Sequence, residues 1–238
     1  QIELPEIREN DRDDLSQYAQ DLATLEHVAP LHSWVTESGE WDHAVQAYLA
    51  STSFADACVG KVLDALANSP HADNTIVVVF SDHGFHLGEK ERWAKRTLWE
   101  DGTRVPLIVF TPGQSKATRV TKPAELIDIY PTLLELCGLD ADTQLEGQSL
   151  VPLLKNLSAP WEFPARTTFG PGNHSIRSEH FRYIRYNDGS EELYDHRVDP
   201  HEWNNLAGDS KYEKIIAEHR KWLPKHHAPV LGKDSTGQ

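Results

Sequence analysis

The chain has 238 residues, 39% hydrophobic and 25% charged, a balance that belongs to a chain folding around a core and excludes a disordered one. Its net charge of −14 comes with no basic cluster, which argues against nucleic acid as a partner. Thirteen histidines make that charge sensitive to acid, because full protonation below their ordinary pKa of roughly 6.5 would bring −14 to about −1.

Residues 1–40 are charged and broken, with short amphipathic pieces at Asp14–Leu25, and read as a surface connection. The spacing of Val45, Leu49, Phe54, Cys58, Val62 and Leu66 predicts a helix over Asp42–Leu66, with Asp42 as its cap. A turn over Asn68–Asn74 leads into Thr75–Ser81. Its Ile76–Phe80 run is too short for a membrane span and too β-branched for a helix, so it predicts a strand buried on both faces, as in the middle of a parallel α/β sheet. A helix followed by such a strand fits a crossover unit.

Val105–Thr111 predicts a second strand of this kind, closed by Pro112 and Gly113. Glu125–Leu136 predicts a helix with Leu126, Ile129, Leu133 and Leu136 on one face, Gly138 as its stop and Pro131 at a kink or first turn. Periodicity is interrupted over 155–165. Beyond it, Ser175–Arg177, Phe181–Tyr186 and Glu191–Tyr194 read as short strands, the last two a hairpin across Asn187–Ser190, with a final helix at Lys211–Leu223. The expected organisation is therefore a connecting segment (1–40), an α/β part (41–160) and a small antiparallel subdomain with a helix (161–238). Cys58 and Cys137 sit on apolar helical spacing and read as buried free thiols, with a disulfide as the alternative.

Asp82 and His83 follow the first strand at the end where open α/β sheets gather ligand-handling groups, with Gly84 expected to let the chain turn sharply. A carboxylate and an imidazole there can hold a divalent cation, and can equally form a turn in which the side chains bond their own backbone. Lys95 can serve an anion or be a solvated lysine of KERWAKR. His86 and His174 are weaker candidates, each readable as a surface or packed histidine. Arg104 is expected to pair with Glu100 or Asp101.

SDHG at Ser81–Gly84, LGE at Leu87–Glu89, Trp93-Ala94-Lys95 and RVPLIVFTPG at Arg104–Gly113 together resemble the sulfatase family. So do ELIDIYPTLLELCGL at Glu125–Leu139, GQSLVPLL at Gly147–Leu154 and Arg182–Ala207, and the match is closest to its iduronate-2-sulfatase-like branch. The resemblance implies an alkaline phosphatase-like α/β core with helices on both faces of its sheet. Many sulfatases carry Asp-Asn where this chain and the iduronate-type branch carry Asp-His. It implies Asp82 and His83 as metal ligands, Lys95 as the lysine that contacts the sulfate, and His174 as a substrate contact; His86 joins the substrate candidates by its position two residues beyond Gly84. Ca²⁺ is the implied ion, with Mg²⁺ or Mn²⁺ as alternatives, and imidazole suits Zn²⁺ or Mn²⁺.

The same resemblance implies a formylglycine nucleophile made from Cys-x-Pro-x-Arg or Ser-x-Pro-x-Arg, and neither Cys58 nor Cys137 has that context. The chain is therefore expected to be the carboxyl-terminal portion of a sulfatase, dependent on an N-terminal half and inactive alone. A first residue of Gln1 and the lack of methionine fit a fragment or a processed product. A sulfated carbohydrate is the implied partner, and a secreted, periplasmic or lysosomal location is implied by family. No signal peptide or membrane span is visible. Two other readings are a phosphate or phosphonate monoester hydrolase of the same superfamily and a noncatalytic remnant that binds sulfated glycans.

Overall fold

A computed structural model describes residues 2–25, 29–114, 116–140 and 144–226. In chain order these form α1 (Gln17–Ala23), α2 (His32–Glu37), α3 (Trp41–Ala67), β1 (Val77–Phe80), β2 (His86–Leu87) and β3 (Trp93–Ala94). Then follow α4 (Glu100–Thr103), β4 (Leu107–Phe110), α5 (Ile129–Leu136) and α6 (Val151–Lys155). The chain continues through β5 (Ala165–Thr168), β6 (His174–Arg177), β7 (Phe181–Arg185), β8 (Glu191–Asp195) and α7 (Glu213–Arg220). Two compact units result. Unit 1 comprises 1–13, 22–96 and 100–117, and unit 2 comprises 14–21, 97–99 and 118–238.

In unit 1, β1 and β4 pair antiparallel in the register Val77↔Phe110 to Phe80↔Leu107. This corrects the expectation of parallel strands in the middle of a sheet: among the described residues the sheet has two strands, and Phe80 is 50% exposed. An apolar run records that both faces of a strand want cover, but it carries no information on the direction of the partner or on which chain segment supplies the cover. Strand β4 begins only after Pro106, which has no N–H to give to a ladder.

Helix α3 covers the predicted helix almost residue for residue. Its apolar stripe, however, is buried only at Val45, while Leu49, Phe54 and Val62 face solvent, Phe54 at 73%. Cys58 lies on the same open stretch, and Cys137 is exposed too, so the reading of both as buried thiols is corrected. The core of unit 1 instead gathers Ala29, Val35, Val45 and Trp93, with Trp41 and Leu87 packed against them.

In unit 2, the antiparallel sheet β5-β6-β7-β8 carries the hairpin expected from sequence, Arg185↔Glu191 through Phe181↔Asp195. Gly189 takes φ +95° inside the turn, a conformation that suits glycine. Ile176, Phe181, Tyr183 and Leu193 make one face of the core and Ile216 of α7 closes it. Arg182 is buried in this sheet and donates to Glu202, Ser175 Oγ and the Leu98 carbonyl at 2.5, 2.6 and 3.0 Å. Helix α5 starts after a single 3-10 turn at Leu126–Asp128, has Pro131 in its first turn and ends at Gly138 with φ +68°.

Candidate active site

The segment after β1 leaves the sheet through Ser81, Asp82, His83 and Gly84. Gly84 is not in a left-handed conformation, so the expected sharp turn is not its role. A Cβ there would lie 2.0 Å from the Asp101 carbonyl oxygen and 3.0 Å from that of Arg104, and the Gly84 N–H donates to the Gly102 carbonyl at 3.1 Å. Glycine is needed because two backbones touch.

That close approach holds His83. Its Nδ1 lies 2.7 Å from the Gly84 carbonyl oxygen. A carbonyl only accepts, so the proton sits on Nδ1 and the lone pair on Nε2 is presented outward. Lys95 Nζ donates to that lone pair at 2.9 Å, and the Asp82 carboxylate lies 3.7 Å from the same nitrogen. The Asp82 side chain is 81% exposed, and among the described residues His83 is its ion-pair neighbour. Asp82, His83 and Lys95 thus converge on one open corner of unit 1.

Lys95 arrives on a loop with a strained backbone. Lys90, Glu91, Ala94 and Arg96 all have positive φ, from 48° to 68°. Such conformations in non-glycine residues persist only where surrounding contacts over-determine them. Here the contacts are specific. Lys90 Nζ meets Asp11 Oδ1 at 3.1 Å with both side chains buried. Glu91 accepts from the Asn10 N–H at 3.0 Å and from Arg12 at 3.2 Å. Trp93 Nε1 donates to His32 Nδ1 at 3.1 Å, and Trp41 Nε1 to the Leu87 carbonyl at 2.7 Å. Arg92, itself buried, donates from Nη2 to the Lys95 carbonyl at 3.2 Å. Burial pushes His32 below its ordinary pKa, in keeping with a neutral ring that accepts from Trp93.

The other predicted residues fall elsewhere. His86 lies in β2, completely buried, with one ligand atom each from His86, Glu89 and Asp101 within 4.8 Å of one another, so it faces the interior and not the open corner. His174 belongs to unit 2, is buried at the start of β6 and shares a hydrogen bond with Thr168 Oγ1 at 2.9 Å across the β5–β6 ladder; it is a sheet residue and not a loop one. Arg104 pairs with Glu100 at 3.7 Å, as expected. Sequence reasoning missed Asp11, Arg12, Lys90 and Arg92. Their only signal was two charged runs, RENDRDD and EKER, about 79 residues apart, with nothing in either to show that they pair.

The donor set at the corner fits part of a divalent site: one carboxylate and one imidazole held in the tautomer that puts its lone pair on Nε2, where Lys95 now bonds it. Two ligands fall short of the six or more that a hard cation takes.

Comparison with known proteins places these residues in context. The family model described as Sulfatase matches residues 5–139, and that described as N-sulphoglucosamine sulphohydrolase, C-terminal, matches 88–228. A sulfatase of Formosa agariphila is 42% identical over 95% of this chain and 45% of its own length. The Delta 4,5-hexuronate-2-O-sulfatase of Bacteroides thetaiotaomicron is 30% identical over 92% of this chain and 49% of its own. Among solved structures, a 2-O GAG sulfatase superposes with a TM-score of 0.76 at 28% identity, over 93% of this chain and 51% of that one. The phosphonate monoester hydrolase of Silicibacter pomeroyi superposes with a TM-score of 0.61 at 26% identity, over 70% and 37%. The fold is that of the alkaline phosphatase-like sulfatases. The chain spans about half the length of the curated relatives it matches.

Proposed function

Because the chain belongs to the sulfatase family, we propose that the complete protein hydrolyses sulfate esters of an acidic, sulfated saccharide, and that this chain contributes half of the reacting site. The observation that carries the reading is the convergence of Lys95 Nζ and the Asp82 carboxylate on His83 Nε2, at 2.9 and 3.7 Å, on a loop held in a strained form. The names of the relatives, sulfatases of hexuronate and glucosamine sugars, support a sulfated sugar as the substrate class.

Asp82 and His83 Nε2 would hold the divalent ion, Ca²⁺ by family and Mg²⁺ or Mn²⁺ as alternatives. When bound, the ion supplies positive charge to the sulfuryl oxygens. The Gly84 carbonyl keeps the His83 proton on Nδ1 and so keeps Nε2 ready to ligate. The Nε2 lone pair serves either Lys95 or an ion, so with His83 ligating, the Lys95 ammonium would be released for the substrate. There Lys95 directs an N–H at the ester oxygen, where negative charge grows as the S–O bond breaks. Cys58 and Cys137 lack the context for conversion to formylglycine, so the nucleophile and the remaining ligands belong to an N-terminal half. The open apolar stripe of α3 and the two-stranded β1–β4 sheet are the surfaces such a half would cover. The same reading carries a secreted, periplasmic or lysosomal location.

A phosphonate monoester hydrolase is the second reading, favoured by two structural neighbours of that activity. Ion chromatography of products separates them. The complete protein should release sulfate from a sulfated uronate disaccharide and from an aryl sulfate faster than it cleaves a phenyl phosphonate ester. The reverse order would replace the first reading by the second.

A further inference from the structure

Lys90 Nζ meets Asp11 Oδ1 at 3.1 Å across 79 positions of sequence, and each side chain is only 1% exposed. Taking two charges out of water offsets much of their attraction, so a buried ion pair is weak evidence for stability. Its best-attested use is to specify one arrangement of the chain. Here the pair sits on a backbone that needs specifying. Lys90 has φ +55° and Glu91 φ +48°, conformations that a non-glycine residue keeps only where its surroundings hold it. The grip continues on either side of Asp11. Asn10 donates its backbone N–H to Glu91 Oε1 at 3.0 Å, and Arg12 donates from Nε and Nη2 to Glu91 Oε2 at 3.3 and 3.2 Å. Three consecutive residues, 10–12, thus clasp two consecutive left-handed ones.

Arg92 carries the grip onward, because the Lys95 carbonyl accepts from its Nη2 at 3.2 Å. This arginine is poorly suited to stability alone. It is 3% exposed, and its Nε is buried without an acceptor among the described residues. Burial, together with the positive charge of Arg12, brings it down to about 10. A buried donor left unpaired costs stability, and an apolar side chain of similar length would fill the space without that cost. What the guanidinium adds is its bond to the Lys95 backbone.

We propose that Asp11 and Arg92 are positioning residues for Lys95, and that residues 10–12 form a clasp that sets where the Lys95 ammonium stands. The proposal rests on the sulfatase reading above, in which Lys95 meets the ester oxygen. A lysine ammonium rides on a flexible four-carbon stem, so it returns to one place only if its backbone is fixed. A misplacement of about 1 Å can lower a rate on the order of 100-fold. Residues 10–12, a surface connection by their sequence, thereby belong to the support of the reacting site.

The test uses the complete protein and two variants that remove buried charge: Arg92→Met, and Asp11→Leu combined with Lys90→Met. On an aryl sulfate each should lower kcat on the order of tenfold or more, with a much smaller change in KM and a denaturant midpoint close to that of the wild type. The same substitutions in Lys95→Ala separate positioning from a structural role. Residues that act through Lys95 have nothing left to position there, so kcat should fall no further. An equal fall in both backgrounds would overturn the proposal, as would wild-type kcat in both variants. A variant that fails to fold would assign its residue to the fold as a whole and overturn its positioning role. Hydrogen exchange reads the clasp without turnover. In the Asp11→Leu, Lys90→Met variant the amides of 88–96 should exchange faster, while the β1–β4 ladder keeps its protection. Unchanged exchange at 88–96 would overturn the clasp. A wild type that releases no sulfate, with exchange at 88–96 raised in the variant, would leave the clasp standing and sink the sulfatase reading.

Discussion

Lys95 Nζ lies 2.9 Å from His83 Nε2, and this contact joins the segment after β1 to the strained segment around β3. The two side chains come from separate pieces of backbone, each held by other means: His83 by the Gly84 carbonyl and Lys95 by Arg92. A lysine that only sat in solvent would have no reason to be carried by a backbone with four left-handed residues nearby.

Asp82→Ala in the complete protein should abolish metal-dependent turnover and leave the fold intact, because the carboxylate is exposed. Metal content by mass spectrometry, read beside turnover, checks this. Full metal content with unchanged activity would return Asp82 to a turn role.

Gly84→Ala should destabilise the complete protein by about 1–3 kcal/mol, the usual cost of forcing extra volume into a packed site. Its new Cβ meets backbone, which cannot rotate away as a side-chain tip can. Denaturant midpoints at constant m-value measure the loss. A variant as stable and active as the wild type would refute the close approach of 84 and 101.

Burial lowers the His219 pKa from its ordinary 6.5. Nδ1 donates to the Ile215 carbonyl at 2.7 Å and Nε2 faces Ser178 Oγ at 2.9 Å. A histidine with a depressed folded value binds fewer protons folded than unfolded, so it contributes stability above the unfolded value that is lost as pH falls from there through the folded one. The midpoint for unfolding of unit 2 should therefore drop as pH falls below 6.5, and His219→Gln should flatten that slope. An identical slope in the variant would assign the pH dependence to other groups.

The 238-residue chain purified alone should aggregate and show no turnover of an aryl sulfate with added Ca²⁺, Mg²⁺ or Mn²⁺. Its open apolar stripe on α3 and its two-stranded β1–β4 sheet are unstable surfaces in water. Metal-dependent turnover by this chain would require a nucleophile among its own residues.

Local order was legible where one element decides its own shape. The periodicity of Val45 to Leu66 marked α3, and the turn residues Asn187–Ser190 marked the β7–β8 hairpin. Burial was not legible on α3 or at Cys58, because an apolar spacing states a demand for cover and not its source. The corner of Asp82, His83 and Lys95 could be named from short motifs because the residues lie within 13 positions of one another. Lys90–Asp11 and Arg12–Glu91 could not, since long-range pairing of common charged residues leaves no local pattern. His86 and His174 looked like site residues by proximity to glycine, and strand formation buried both.

The most direct measurement is steady-state kinetics of Lys95→Ala in the complete protein on an aryl sulfate. Loss of one preorganised oxyanion partner should lower kcat on the order of 10²–10³, with a much smaller change in KM, because the ester oxygen gains its charge only as the S–O bond breaks. A variant with wild-type kcat would contradict the account and leave Lys95 as a solvated residue on a strained loop.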